Sequence, residues 1–484
     1  MNPAYVPALG ALAILAFDLV ARSTPDEAWT PRTSALAGIR FGAVALLSLA
    51  AVVVAVRSPG AGIDAFATFG IGYLVGATLL VLGLSLTHFG MARSRPAEPI
   101  ALLLFSLSGM VAAIVTEHLL VLMVAIELAW LPTIALVSID SRRLSSSESS
   151  LKAFFAHVFA SVVFAHGVAF VFGATGGLGM AGLGEAAPER GLLFDVGVTL
   201  VLLGLIARAV IAPFHPWSPD VHEGAPSFVV AYLVTAAQAT TFLVLLRLVH
   251  VLMPIDVELA DGVARRLPTL LGLLGCLGLV WGHAMALVQV GLRRLIGWLG
   301  VGQAGFFTLA LVDGTGEGGS ALLLALFAAG VSIVGALAIL SSLSHHERAC
   351  EHVGDLSGMM HGSPIRATLF ALFLLSIAGF PGTVGFVARV EILAALERDG
   401  HRELMVAGLV ATVLALTAVG RPLLAILRPM ERHPHASRAL THEQLVLALC
   451  AGAVVYFGVA PVVSVEGVSG FFDWLERALA ALRA

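Results

Sequence analysis

Three ionisable side chains stand in runs of sequence that are otherwise almost entirely apolar. Glu127 falls near the middle of EHLLVLMVAIELAWLPTIALV, too far from either end for a short carboxylate to reach water. Arg208 lies in LIARAVIAPFHPWSPDVHEGAP, where Pro213, Pro216, Pro219 and Pro226 break the run and His215, Asp220, His222 and Glu223 follow. Arg389 ends a second interrupted run, LLSIAGFPGTVGFVAR, which contains Gly379, Pro381, Gly382 and Gly385. A charge at the centre of a bilayer costs about 2.5–3.5 kcal/mol on insertion scales, so such residues mark ion or proton pathways. A carboxylate takes up and releases protons, whereas a guanidinium keeps its charge and sets the local field. Two plainer readings stay open: Glu127 protonated and bonded to backbone, and Arg208 capping carbonyls freed by Pro213.

The elements that would hold these groups follow from composition. The chain has 484 residues, 58% hydrophobic and 12% charged, with a mean hydropathy of +0.97. These values predict an all-α polytopic membrane protein. A hydrocarbon core about 30 Å thick needs roughly 20 apolar residues per helix. About 14 windows qualify: 4–21, 37–57, 67–88, 99–116, 118–138, 153–175, 195–213, 226–251, 268–289, 294–312, 320–344, 364–390, 403–427 and 443–465. The start, MNPAYVPALGALAILAF, lacks a basic n-region and reads as a retained first helix. Arg142, Arg143, Lys152, Arg293, Arg294 and Arg348 belong to the richer set of cations, in loops after odd-numbered spans. That bias places both termini on the outer side of the membrane.

No linker separates a soluble domain, so one membrane domain is expected. Its parts are N-terminal helices at 1–98, a first repeat at 99–251, a second repeat at 268–428, and a last helix with an amphipathic tail at 429–484. The interrupted spans are the seventh and twelfth. Paired broken helices point to inverted repeats, here spans 4 to 8 and 9 to 13, each with a buried cation.

Other patterns carry less. A net charge of −4 without a basic run makes nucleic acid an unexpected partner. Cys276, Cys350 and Cys450 show neither a disulfide framework nor metal-ligand spacing. GVGQAG at 300–305 matches a dinucleotide fingerprint in letters only, since no strand precedes it; close helix packing explains it better. His157 and His166, on one predicted helix, are half a turn out of phase and make no metal pair. HHERACEH at 345–352 reads as a solvated loop, and the tail GFFDWLERALAALRA as a helix lying on the interface or a partner.

The segment PFHPWSPDVHEGAP resembles the PFHxWxPDVxxGAP hallmark of the antiporter-like membrane subunits of respiratory complex I, the NADH:quinone oxidoreductase, most of all the subunit N branch. IELAWLPTIALV, SSLKAFF, GHAMALVQVGLRRLIGW and LSIAGFPGTVGFVARV extend the likeness over about residues 100–430. The resemblance implies two inverted five-helix repeats and an axis of ionisable groups across the membrane plane. Matched motif by motif, the axis positions are Glu127, Arg208, Gln238 and Arg389. The last three replace lysines of relatives, and Gln303 replaces a histidine.

An arginine or glutamine cannot hand on a proton as a lysine does. Arg208 is therefore expected to act as a fixed charge that favours the ionised form of Glu127. Protons would pass by Glu127 and water, with His157, His166, His215 and His283 as further steps and Lys152 at the cytoplasmic edge. The resemblance further implies a bacterial plasma-membrane location. Its implied partners are subunit M-like and K-like neighbours and the lipid bilayer. NAD, FMN, iron–sulfur clusters and quinone would belong to the parent complex, with no redox centre in this chain. Two alternatives accompany this reading: a cation/proton antiporter or other ion-coupled complex, and a homologue that no longer pumps.

Overall fold

The computed structural model describes residues 3–21, 31–57, 63–92, 96–140, 143–184, 191–253, 262–313, 317–343, 350–429, 441–463 and 466–483. Among them α-helix dominates, and extended pairing is limited to two isolated bridges. The first half runs α1 (Tyr5–Ala21), α2 (Pro31–Arg57), α3 (Ala65–Ala92), α4 (Ala97–Val115), α5 (Leu119–Val137), α6 (Leu144–Thr175) and the short α7 (Ala181–Gly184). Then α8 (Leu192–Arg208) stops and gives way to α9 (Trp217–Gly224) and α10 (Ser227–Tyr232). From α10 the helix continues through a π-helical stretch, Leu233–Gln238, into α11 (Ala239–Leu252). The second half runs α12 (Gly262–Val288), α13 (Leu292–Ala310), α14 (Glu317–Leu343), the short α15 (Met359–Gly362), α16 (Pro364–Ala378), α17 (Val384–Arg398) and α18 (Arg402–Leu427). Two more helices, α19 (Thr441–Val463) and α20 (Glu466–Arg483), close the chain.

Among the described residues nine helices are long and apolar enough to cross a membrane. Burial of an apolar 18-residue stretch in each ranks them: 100% within Ser227–Leu252 and 94% within Glu317–Leu343, against 28% within Arg402–Leu427. The bundle is therefore built around α10–α11 and α14, with α18 on its flank.

Both interrupted spans break where the sequence removes helical options. Beyond Arg208, Pro213 has no N–H to offer, and Val210 already turns to a φ of 62°. After α16, Gly379 adopts a φ of 78°, and the amides of Gly379 and Phe380 return to the carbonyls of Ser376 and Leu375. That pattern closes a helix at a glycine free of a Cβ penalty.

The two bridges occupy the same place in each half. One joins His118, at the start of α5, to Gly179 beyond α6; the other joins Gly291, at the start of α13, to His352 beyond α14. The second corrects the reading of HHERACEH as a plain solvated loop. Residues 345–349 lie outside the described residues, but Cys350 is buried, and the backbone of Glu351 and Val353 bonds to that of Leu292 and Val290.

GVGQAG sits inside α13, where Gly302 and Gly305 meet α12 closely. The tail helix α20 packs on its own chain: Trp474 lies 4.6 Å from the Phe69 ring of α3, and Leu479 is buried. The side chains of Phe471 and Phe472, and Arg142 and Arg348 among the topology-setting cations, lie outside the described residues.

Candidate functional site

Glu127 of α5, Ser161 of α6 and Arg208, the last residue of α8, meet in one cluster. The Arg208 Nη2 group donates to Glu127 Oε1 in a close ion pair. It also lies 2.6 Å from Ser161 Oγ, which in turn donates to Glu127 Oε1 at 2.6 Å or to the His157 carbonyl at 2.8 Å. Arg208 is 1% exposed, and Glu127 keeps 28% on the flank where Val124 and Leu131 are bare. Close approach of α6 and α8 makes the cluster possible: a Cβ on Gly167 would stand 2.5 Å from the Val201 amide. Ser161 carried no signal in the sequence, because serine is common in membrane helices and only its neighbours give it a role.

Around this cluster the predicted histidines separate. His157, one turn before Ser161, is buried between Trp130 and Trp217, with ring centroids at 4.2 and 4.8 Å, and its Nδ1 faces the Ala153 carbonyl at 2.7 Å. His166 is exposed on the other face of α6 and is not brought to the site. Lys152 is not part of the buried cluster either. Its Nζ pairs with Asp220 and Glu148, each at 2.7 Å, and so ties α6 to α9.

The break after α8 frees carbonyls that side chains then occupy. Gln238 donates Nε2 to the Ala209 carbonyl at 3.1 Å, from a π-helical stretch that is buried throughout. His215 reaches from the break to the second half, with its ring 5.5 Å from Trp298 and 5.9 Å from Trp281.

In the second half Arg389 of α17 is likewise buried, with different partners. Its Nη2 donates to the Ile377 carbonyl at 2.8 Å, and its guanidinium lies 4.5 Å from the Phe306 ring centroid. Gln303 donates to the same Ile377 carbonyl at 2.8 Å, and Ser332 donates to Ser376 Oγ at 2.8 Å. His283 is buried against Gly302, 6.2 Å from the Phe306 ring. The structure thus gathers Glu127 with Arg208, and Arg389 with Gln303. Gln238 sits at the break after α8, His215 packs against α12 and α13, and His283 of α12 packs against α13; no continuous chain of direct hydrogen bonds joins the two clusters among the described residues.

Chemically, the first cluster holds one proton-exchanging acid, a hydroxyl with two acceptors, and a cation that cannot discharge. A cavity of 120 Å³ lies by the end of the broken segment, lined by His88, Asp140, Arg143, Ser227 and Arg293 among others, large enough for several waters. At the far end of α17, loss of solvation raises the Asp399 carboxyl to about 6. The charge of Asp313 and a hydrogen bond to it add to the rise, against His401 and Arg398. Burial, then Asp355, pushes the Cys350 thiol up to about 12, so it is no nucleophile.

Comparisons with known proteins give one consistent family. Residues 116–415 match the model for NADH:quinone oxidoreductase/Mrp antiporter transmembrane proteins. The NADH-quinone oxidoreductase subunit N of Bdellovibrio bacteriovorus is 30% identical over 370 residues, 75% of each chain. A chain of respiratory complex I from Thermus thermophilus superposes with a TM-score of 0.76 at 28% identity, over 95% of this chain and 97% of that one. A chain of the Mrp complex from a Dietzia species has a TM-score of 0.81 at 18% identity, over 99% and 97%, which is a likeness of fold alone.

Proposed function

The chain belongs to the NADH:quinone oxidoreductase/Mrp antiporter membrane family, and from that premise we propose that it is the subunit N-type member of the membrane arm of a proton-translocating NADH:quinone oxidoreductase. It moves protons across a bacterial plasma membrane, while partner subunits oxidise NADH and reduce quinone with FMN and iron–sulfur clusters. The observation that carries this reading is the Glu127–Ser161–Arg208 cluster, with its arginine enclosed and its acid half-buried, beside a broken helix. An acid at membrane depth needs a cation to stay ionised and a polar path to exchange its proton; Arg208 supplies the cation, and the Ser161 hydroxyl supports the start of such a path.

The same reading arranges the chain as fourteen crossings, in an N-terminal group (1–98), two inverted five-helix repeats (99–251 and 268–428) and a closing segment (429–484). The matched positions of the two backbone bridges and the two broken helices support that symmetry. Cytoplasmic protons enter by the cavity beside Arg293 and reach Glu127, with His157 close by. Gln238 and Arg389 hold the axis open as a donor and a fixed charge, and His215 and His283 continue it toward the second half. Both termini face outward. The exposed flank of α5 beside Glu127 is where a subunit M-like or K-like neighbour would cover the acid.

A second reading keeps the place in the complex and removes the pumping, since neither Gln238 nor Arg389 exchanges protons. One experiment separates them. The complex is purified through a tag on this chain, assayed for NADH:quinone activity, and rebuilt into vesicles to count protons moved per NADH. A lower count for Glu127→Gln than for the unaltered chain supports pumping; equal counts support the spacer.

A further inference from the structure

The outward faces of α5 and α6 form two lines of apolar side chains, each broken by one ionisable group. On α5, Leu120, Val124, Glu127 and Leu131 follow one another at helical spacing, and the apolar members are 46–59% exposed. On α6 the line runs Phe155, Phe159, Val162, His166 and Phe170, all of them exposed.

His166 lies at membrane depth. Ser161 meets Glu127, which sits near the middle of α5, and His166 follows Ser161 along α6 by about 7.5 Å at 1.5 Å per residue. The half-thickness of a hydrocarbon core is about 15 Å, so the imidazole stays inside it. Its Nδ1 is 2.7 Å from the Val162 carbonyl, which can only accept. Nδ1 therefore carries the hydrogen of the neutral ring, and Nε2 is an acceptor without a hydrogen bond among the described residues.

Ionisable side chains at this depth face protein or a water-filled cavity, and polar groups there join helix to helix. Acyl chains offer Nε2 nothing. A cationic donor would bring an unmatched charge, because Arg208 already balances Glu127. The N–H groups of a membrane helix backbone are committed within the helix. A second copy about a two-fold axis would bring the same phenylalanines and valines and another bare Nε2. What fits is a neutral donor on the side chain of a different protein.

We propose that the α5–α6 face is covered by a transmembrane helix of a neighbouring membrane subunit, which presents a neutral side-chain donor (a hydroxyl, an amide or a protonated acid) to His166 Nε2. This rests on the reading of the chain as part of a membrane complex, and it adds α6 and the chemistry of the contact. The interface does not depend on proton movement and is the same in a pump or a spacer.

The intact complex is purified through a tag on this chain, unaltered and as His166→Leu, and loss of the neighbouring subunit is followed on native gels as detergent is raised. Leucine roughly keeps the volume and removes the acceptor. Loss of one hydrogen bond between membrane helices should release the neighbour about threefold faster. A face on lipid or an apolar partner predicts the opposite sign, since leucine suits such surroundings better than imidazole, so unchanged or slower release overturns the proposal. A cryo-electron microscopy map of the unaltered complex supplies the second measurement. A donor side chain of another subunit within hydrogen-bond distance of Nε2 is expected; acyl chains, an apolar side chain or a second copy of this chain at that position overturns the proposal. Purified chain without any neighbour would refute membership of a complex, and the proposal with it, whereas altered proton counts in vesicles bear on pumping alone.

Discussion

Glu127 on α5 and Arg208 at the end of α8 form an ion pair whose third corner is the Ser161 hydroxyl, so that one carboxylate oxygen receives both an N–H and an O–H donor. Arg208 is almost wholly enclosed while Glu127 keeps one open flank. On the proposed reading the arginine is the fixed charge, and the less enclosed acid is the member that exchanges protons.

Glu127→Gln keeps the shape and removes the titratable group. Breaking one side of an enclosed pair costs about 3–5 kcal/mol where burial is complete, and the open flank of Glu127 places this pair near the lower end. The complex should still assemble and oxidise NADH, with fewer protons moved per NADH because this chain's share is lost. Unchanged proton counts in vesicles containing the variant would sink the pumping role.

Ser161→Ala tests the third corner. A hydrogen bond to a charged group contributes about 1.5–3 kcal/mol, equivalent to tenfold or more in a rate. Proton uptake through this chain should slow about tenfold by that measure, and Ser161→Thr, which keeps the hydroxyl, should restore most of it. Stopped-flow uptake with a pH dye separates the two variants; equal rates would reduce Ser161 to packing.

The sequence announced the buried charges and the breaks because both violate the expectations of an apolar helix. Glu127, Arg208 and Arg389 were visible as polar letters in apolar runs, and Pro213 and Gly379 as letters that end helices. Ser161 was not visible, since its role arises from α6 and α8 meeting at Gly167, a contact between segments far apart in the chain. Nor was the difference between His157 and His166 in burial, which depends on which face of α6 the other helices cover. The pairing of Cys350–Val353 with Val290–Leu292 escaped for the same reason, because short extended segments have no periodicity to read.

Lys152 offers a negative control. Its ammonium is 44% exposed and held by Asp220 and Glu148, an arrangement worth about 0–1 kcal/mol in solvent. Lys152→Gln should leave proton counts per NADH unchanged and lower the melting temperature of the complex by little. A collapse of proton transfer would instead place Lys152 on the pathway.

Gly379 holds a φ of 78°, and a Cβ there would stand 2.5 Å from Arg389 Cδ. Gly379→Ala therefore carries both a left-handed backbone penalty of about 1–2 kcal/mol and a displaced arginine. A loss of thermal stability beyond the backbone penalty is expected, measured against Gly400→Ala. Gly400 has a φ of 83° but nothing within 4 Å of an added Cβ. Equal losses at the two glycines would show that Arg389 yields freely.

The acid pair of Asp399 and Asp313 gives the pH dependence. Asp399 rises from the ordinary aspartate value of 3.8 to about 6, by loss of solvation first and then by Asp313. An acid whose affinity for protons is higher in the folded chain stabilises the fold when protonated, so its contribution is present below pH 3.8 and is lost as pH rises through 6. In that window the folded chain binds more protons than the unfolded one, and stability falls with increasing pH at this site. Asp399→Asn removes the titration. Melting curves of the purified complex from acidic to neutral pH should show the variant gaining on the unaltered chain across the window and holding a constant lead above it. Because residue 399 lies on an exposed turn, added salt should shrink the part of the lead that comes from the Asp313 charge and leave the part that comes from lost solvation. A lead that grows instead above pH 7 would assign the effect to another group.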